Sequence, residues 1–233
     1  MSAGVGGVPD IGLMTREEFV QQAGYLVRAV SIPVISDSDT GFGDVRDVER
    51  TLQAFEAVGV AGIHLEDQEF PKRCGHLSGK AVVSREEMVE KLQAAVAARR
   101  DPEFVIIART DARAVNGIDD AIARAQAYVA AGADMIFPEA LETRDEFARF
   151  ARELTGVSLI ANITEFGKSP LLSVAELAEL GYRAVLFPVT LLRVAMRATE
   201  TALRELAEQG SQRDFVDRMQ TRSELYDVLG YKP

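Results

Sequence analysis

Short apolar runs alternate with longer amphipathic ones along most of the chain. Residues 33–37, 61–67, 104–111, 135–140, 158–164 and 184–189 are brief and mostly uninterrupted by polar residues. That is the pattern of parallel strands covered on both faces. Residues 15–30, 45–58, 84–99, 118–131 and 173–180 repeat apolar positions at helical spacing, and three of these stretches stop at Gly59, Gly132 and Gly181. Ser84 followed by Glu87 has the spacing of a capping box. Helix, glycine and short strand in succession predict repeated βα units.

The polar residues of these runs gather at their C-terminal ends: Asp37, Glu66 and Asp67, Arg109 and Asp111, Glu139, Asn162 and Thr164. A doubly wound sheet also binds ligands at the carboxyl ends of its strands, but it recruits fewer of them. Polar residues ending strand after strand favour an α/β fold of the (β/α)8 TIM-barrel type, whose active site lies on that face. Six strands are evident where such a barrel has eight. The segment before residue 33 reads as one helix preceded by a glycine-rich loop, so two strands are expected upstream of Met1. A six-stranded version would leave two apolar edges open to pairing. No linker interrupts the chain, so residues 1–233 are expected to form one barrel domain.

Composition narrows the function. With 36 acidic and 26 basic residues the net charge is −10, and no basic footprint for a nucleic-acid backbone is visible. The start lacks a signal peptide, and no run is long enough for a membrane span. One cysteine allows no intrachain disulfide and suits a reducing compartment, so a cytoplasmic protein is expected.

Two segments carry the chemistry. In Asp37-Ser38-Asp39-Thr40-Gly41-Phe42-Gly43, two carboxylates flank a strand end and offer hard oxygens to Mg²⁺, with Glu66 at the end of the next strand. An Asp-rich turn without a ligand is the plainer alternative. In Lys72-Arg73-Cys74-Gly75-His76, the only cysteine sits among cations, which favours the thiolate and suits Cys74 to proton transfer. Taken by itself, a lone cysteine is more often a small buried hydrophobe. His64, inside an apolar strand, reads as a hydrogen-bonded core residue. Arg109 ends an apolar strand and must meet a carboxylate of protein or substrate. Glu139 could pair with Arg109, with a metal-bound water or with a substrate hydroxyl. Asn162, Ile163 and Thr164 supply neutral groups at a strand end, whereas Arg193 and Arg222 read by themselves as surface arginines.

These motifs, together with Ala-Arg-Thr-Asp, Phe-Pro-Glu-Ala, Asn-Ile-Thr-Glu-Phe-Gly and Gln-Thr-Arg-x-Glu-Leu-Tyr, stand in the order seen in the isocitrate lyase and phosphoenolpyruvate mutase superfamily. The resemblance runs from about residue 9 to about residue 231. It is strongest to the branch that cleaves 2-methylisocitrate to pyruvate and succinate. It implies that Asp37, Asp39 and Glu66 hold Mg²⁺ (or Mn²⁺) largely through water, with Asp10 nearby. It further implies that Cys74 is the general acid, tuned by Lys72, Arg73 and His76. A small tricarboxylate would be bound by Cys74, Gly75, Arg109, Glu139, Asn162, Ile163, Thr164, Arg193 and Arg222. It implies a homotetramer in which C-terminal helices, about residues 191–233, exchange between subunits. Alternatives are cleavage of isocitrate, dimethylmalate or oxaloacetate, phosphonate mutation, or an inactive fragment that only binds or associates. The family begins with two further strands ending in Tyr-x-Ser-Gly, so a start codon placed too far downstream is expected.

Overall fold

The computed structural model describes residues 1–232, and these divide between two compact units that meet at Pro188 and Val189 in the sequence. The first unit holds the strands β1 (Ile35–Asp37), β2 (Gly62–Glu66), β3 (Val105–Thr110), β4 (Met135–Pro138), β5 (Ser158–Asn162) and β6 (Ala184–Leu186). All are parallel and lie in sequence order in one six-stranded sheet. This is six strands of a TIM-type barrel, curled with the chain order intact. Each strand lies where the apolar pattern places it and is one to three residues shorter at one or both ends.

The helices of this unit are α1 (Arg16–Ala29), α2 (Val45–Ala57), α3 (Arg85–Ala98), α4 (Arg113–Asn116), α5 (Ile118–Ala130), α6 (Arg144–Glu153) and α7 (Val174–Glu179). Side chains fix their starts. Thr15, Asp44 and Ser173 each form a full capping box with Glu18, Asp47 and Glu176. At α3 only half of the expected box forms: Ser84 accepts from the Glu87 amide, while Glu87 turns along the helix to Lys91, 3.6 Å away. Helix α6 escapes the periodicity reading although Thr143 caps it and Phe147 and Phe150 are buried at i,i+3.

The helices bury one face against the outside of the sheet. Leu52, Phe55, Met88, Leu92, Phe147, Phe150 and Leu177 meet Ile63, Leu65, Ile106, Ala108, Ile136, Leu159 and Ala161 in one continuous core. Each fully buried large apolar side chain contributes about 1.5–3 kcal/mol. β1 and β6 end the sheet, and Ile35 and Leu186 there stay exposed at 47% and 37%, as expected for open edges. The second unit comprises α8 (Thr190–Gln209), a short 3₁₀ turn and α9 (Arg222–Val228). Within it Phe215 is buried, while Leu191, Val194, Met196 and Leu203 on α8 are exposed. No helix among the described residues is long and apolar enough to cross a membrane.

Candidate active site

Strand pleat decides which residues face inward, because successive side chains point to opposite faces. On β2, Ile63 and Leu65 join the outer core, which turns Gly62, His64 and Glu66 inward. On β3 to β5 the inward residues Ile107, Phe137 and Ile160 form a separate apolar cluster. Two residues further along each strand stand Arg109, Glu139 and Asn162, all buried. The register sets Glu66 beside Arg109, so a polar layer lies directly on an apolar floor.

Arg109 is the hub of that layer. Its Nε donates to Asp111 Oδ2 at 2.9 Å and its Nη2 to Asp111 Oδ1 at 3.3 Å. Nε also lies 3.2 Å from Glu66 Oε2, and Nη2 lies 3.6 Å from Glu139 Oε2. The guanidinium covers the Phe137 ring at 5.1 Å. Burial is the largest influence on Asp111 and Glu139 and pushes both carboxyls up, but Arg109 together with Lys80 at Asp111, and Arg109 together with His76 at Glu139, holds them below their ordinary values. Burial holds Glu66 well above the carboxylate range, because Arg109 offsets only part of it. The sequence left Arg109's partner open, and Asp111 is the bidentate one.

An acidic corner adjoins this layer. Lys72 Nζ stands 2.7 Å from Asp10 Oδ1 and 2.6 Å from Asp39 Oδ1. The Asp39 amide donates to Asp37 Oδ1 at 2.9 Å. His64 is not the satisfied core residue that its apolar strand suggests. Its Nδ1 lies 3.4 Å from Asp37 Oδ1 with no hydrogen bond, and its ring meets Phe137 edge-on at 5.4 Å. Loss of water and the Asp37 charge raise the Asp39 carboxyl to about 6 in spite of Lys72. Asp37 keeps 38% of its side chain open. Surrounding protein pushes its carboxyl up, yet His64, Lys72, Arg109 and the Asp39 amide bring it to about 2. Asp39 also sits at φ 46°, a backbone state that costs a non-glycine residue about 1–2 kcal/mol and is common at functional sites. Gly41, at φ 89°, lets the turn close on Val48, which a Cβ would meet at 2.5 Å.

The cysteine loop crosses the top of the layer. Gln68 clasps it at Arg73, its Nε2 donating to the Arg73 carbonyl and its Oε1 accepting from the Arg73 amide. His76 Nδ1 accepts from the Lys168 amide at 3.0 Å, which places the proton of the neutral ring on Nε2, 3.0 Å from Glu139 Oε1. Asn162 Nδ2 donates to both Glu139 oxygens, at 3.1 and 3.3 Å. Gly75 is packed so closely that a Cβ would lie 2.6 Å from Arg109 Nη2 and 2.6 Å from Glu139 Cδ. Gly75→Ala is therefore expected to lift the loop and lower kcat by about 100-fold or more, since a 1 Å misplacement costs that much. Its thermal unfolding should fall by only a few degrees. Unchanged steady-state kinetics would show that the loop tolerates displacement.

The structure thus gathers Asp10, Asp37, Asp39, Glu66, Lys72, Gly75, His76, Arg109, Glu139 and Asn162. Cys74 is half-buried beside Gly75, and Arg73 points outward along the loop. Ile163 packs into the outer core, and Thr164 is buried with its methyl near Gly167. Arg193, on the first turn of α8, and Arg222, opening α9, are exposed and belong to the second unit. Sequence reasoning missed Lys80, whose Nζ is 2.5 Å from Asp111 Oδ1, and gave Asp111 no role. The one available signal was the need of a strand-end arginine for a nearby acid. Asp67 accepts from Thr110 Oγ1, the Asp111 amide and Tyr128 Oη at 2.7–2.8 Å, bracing β2 to β3 and α5. A cleft of about 830 Å³ opens beside the acidic corner, between the segment leading into α1, the β1–α2 loop and α3. It shares Asp39, Gln68 and Lys72 with the site.

Among the described residues, no three His, Cys, Asp or Glu side chains are grouped tightly enough to encase a metal ion. Glu66 Oε1 is nevertheless buried without a hydrogen bond, and Asp39 Oδ1 and Glu66 Oε2 are met only by the charges of Lys72 and Arg109. Asp10, Asp37, Asp39, Glu66, Asp67, Asp111 and Glu139 outnumber the permanent cations Lys72, Lys80, Arg109 and Arg124 that face them. That donor set fits a hard divalent cation that keeps most of its water, as Mg²⁺ does.

Known proteins match the chain in sequence and in fold. The phosphoenolpyruvate phosphomutase family profile matches residues 1–207. A 2-methylisocitrate lyase of Aeropyrum pernix is 52% identical over 224 residues, covering 96% of this chain and 72% of that protein. A probable 2-methylisocitrate lyase of Corynebacterium glutamicum is 53% identical over 225 residues, 97% of this chain and 74% of its own length. Among solved structures, 2,3-dimethylmalate lyase superposes with TM-score 0.93 at 36% identity, over 98% of this chain and 76% of that one. Phosphonopyruvate hydrolase in complex with oxalate and Mg²⁺ gives 0.86 at 31% identity, over 98% and 79%.

Proposed function

Because the chain belongs to the phosphoenolpyruvate phosphomutase family, we propose that it is a carbon–carbon lyase that cleaves 2-methylisocitrate to pyruvate and succinate. The observation that carries the reading is the Cys74–Gly75–His76 turn seated without clearance on Arg109 and Glu139, beside an acidic corner in which Glu66 Oε1 is buried without a hydrogen bond. Relatives at 52% and 53% identity named for this reaction favour it over the dimethylmalate and phosphonate chemistries of solved neighbours at 36% and 31%.

Asp37 and Asp39, with Glu66 behind them and Asp10 across Lys72, would hold Mg²⁺ or Mn²⁺ largely through water. When bound, the ion supplies electrostatic stabilisation for the oxygens of the pyruvate half. Arg109 and Asn162 orient substrate carboxylates from the floor of the site. Glu139 keeps Arg109, Asn162 and the Nε2–H of His76 in place. Lys72 balances the acidic corner. A base takes the proton of the substrate hydroxyl, the carbon–carbon bond breaks, and its electron pair passes to the succinate carbon. The Cys74 thiol delivers its proton there, while the half-buried turn limits competing water. The protein acts in the cytoplasm as a homotetramer with exchanged C-terminal helices.

Pyruvate release from 2-methylisocitrate in the presence of Mg²⁺, abolished by EDTA and restored by Mg²⁺ or Mn²⁺, is the expected result. Isocitrate, which lacks only the methyl group, should turn over at least about 10-fold more slowly, the discrimination that one methyl typically supports; 2,3-dimethylmalate and oxaloacetate, which also lack a carboxylate that the site binds, should be slower still. Release from oxaloacetate or dimethylmalate alone would overturn the assignment.

A further inference from the structure

The loop that carries Cys74 leaves and rejoins the sheet at one place. Gln68 pairs with Val82 in an antiparallel bridge, and the Glu69 amide donates to the Ala81 carbonyl. Lys80, at the returning end, reaches back across the loop. Its side chain is 1% exposed. Its Nζ donates to the Gly75 carbonyl at 2.5 Å and to Asp111 Oδ1 at 2.5 Å. The same Asp111 carboxylate binds Arg109 through two bonds, and the Asp111 amide is tied to Asp67. A buried ammonium is tolerated only when paired, and this one is paired to both parts of the site at once.

We infer that Lys80 is a positioning residue, whose ammonium bonds the Gly75 carbonyl to the Asp111 carboxylate and holds the Cys74–His76 turn down on Arg109 and Glu139. The inference rests on the lyase reading above, in which Cys74 must stay over the reacting carbon. An ammonium stabilising only the end of β3 would affect unfolding and leave the folded loop where it is.

The experiment compares wild type, Lys80→Met and Lys80→Gln. It follows iodoacetamide alkylation of Cys74 by mass, which is unambiguous because the chain has one cysteine. It also measures kcat and KM with 2-methylisocitrate and Mg²⁺. Losing hydrogen bonds to a charged group should raise the open fraction of the loop about 10- to 100-fold. Cys74 of the folded Lys80→Met protein should then be alkylated faster by that factor. Its kcat should fall similarly, with KM changing less than about threefold. Lys80→Gln, which keeps an N–H donor, should recover part of both effects, and it carries the test if Lys80→Met does not fold. Alkylation and kcat unchanged in folded variants, with only the melting temperature lowered, would overturn the inference. A wild type inactive on every substrate would sink the lyase reading, while the alkylation rates would still decide the clamp.

Discussion

Arg109→Met is expected to cost about 3–5 kcal/mol of folding stability, the range for breaking a buried ion pair from one side, and to remove turnover. Methionine fills similar space but leaves Glu66, Asp111 and Glu139 without the guanidinium they share. Lys80 still serves Asp111, and Asn162 and His76 still serve Glu139. The deficit should therefore lie below the sum of three exposed charges. Its pH dependence has a definite sign. In the wild type Asp111 and Glu139 are held below their ordinary values. Their contribution is present at neutral pH and lost only in acid, as pH falls through those depressed values. Without Arg109, burial raises both carboxyls above their unfolded values. The variant then binds more protons folded than unfolded, and its deficit should shrink as pH drops from about 8 to about 5. Urea unfolding at several pH values measures this. A deficit that is constant with pH would mean that packing alone was lost.

Cys74→Ser is expected to lower kcat by about 100- to 10,000-fold, the usual worth of a positioned general acid, while KM and calorimetric substrate affinity change less than about threefold. A serine hydroxyl matches the thiol in size but holds its proton far more tightly. Cys74 is only half-buried, so stability should stay within about 0.5 kcal/mol. Retained turnover would remove Cys74 from the mechanism, and lost affinity would recast it as a binding group.

How much of the site could be read beforehand depends on how local its causes are. Arg109, Glu139 and Asn162 follow from a pleat that alternates faces and from runs that end in polar residues. Asp37 and Asp39 were legible as carboxylates two apart at a strand end. His64 misled because an apolar run says that a residue is buried and not which side of the sheet it faces. Glu87 misled because a residue with capping-box spacing found a lysine one turn along instead. Lys80 gave no signal: its partner Asp111 is 31 residues away, and nothing local distinguishes it from a solvated lysine.

By itself the sequence determined the strand order of a parallel sheet and the layer on which the chemistry stands. Buried runs, helix caps and the two-residue period act over a few neighbours and leave little choice. The tertiary structure alone decided which charge meets which. Arg109 takes Asp111 in a two-bond grip. His76 takes its tautomer from an amide 92 residues away. Gly75 closes against Arg109 and Glu139 with no room for a Cβ. These pairings rest on distances of a few ångströms between strand ends far apart in the chain, and only the curl of the sheet sets those distances.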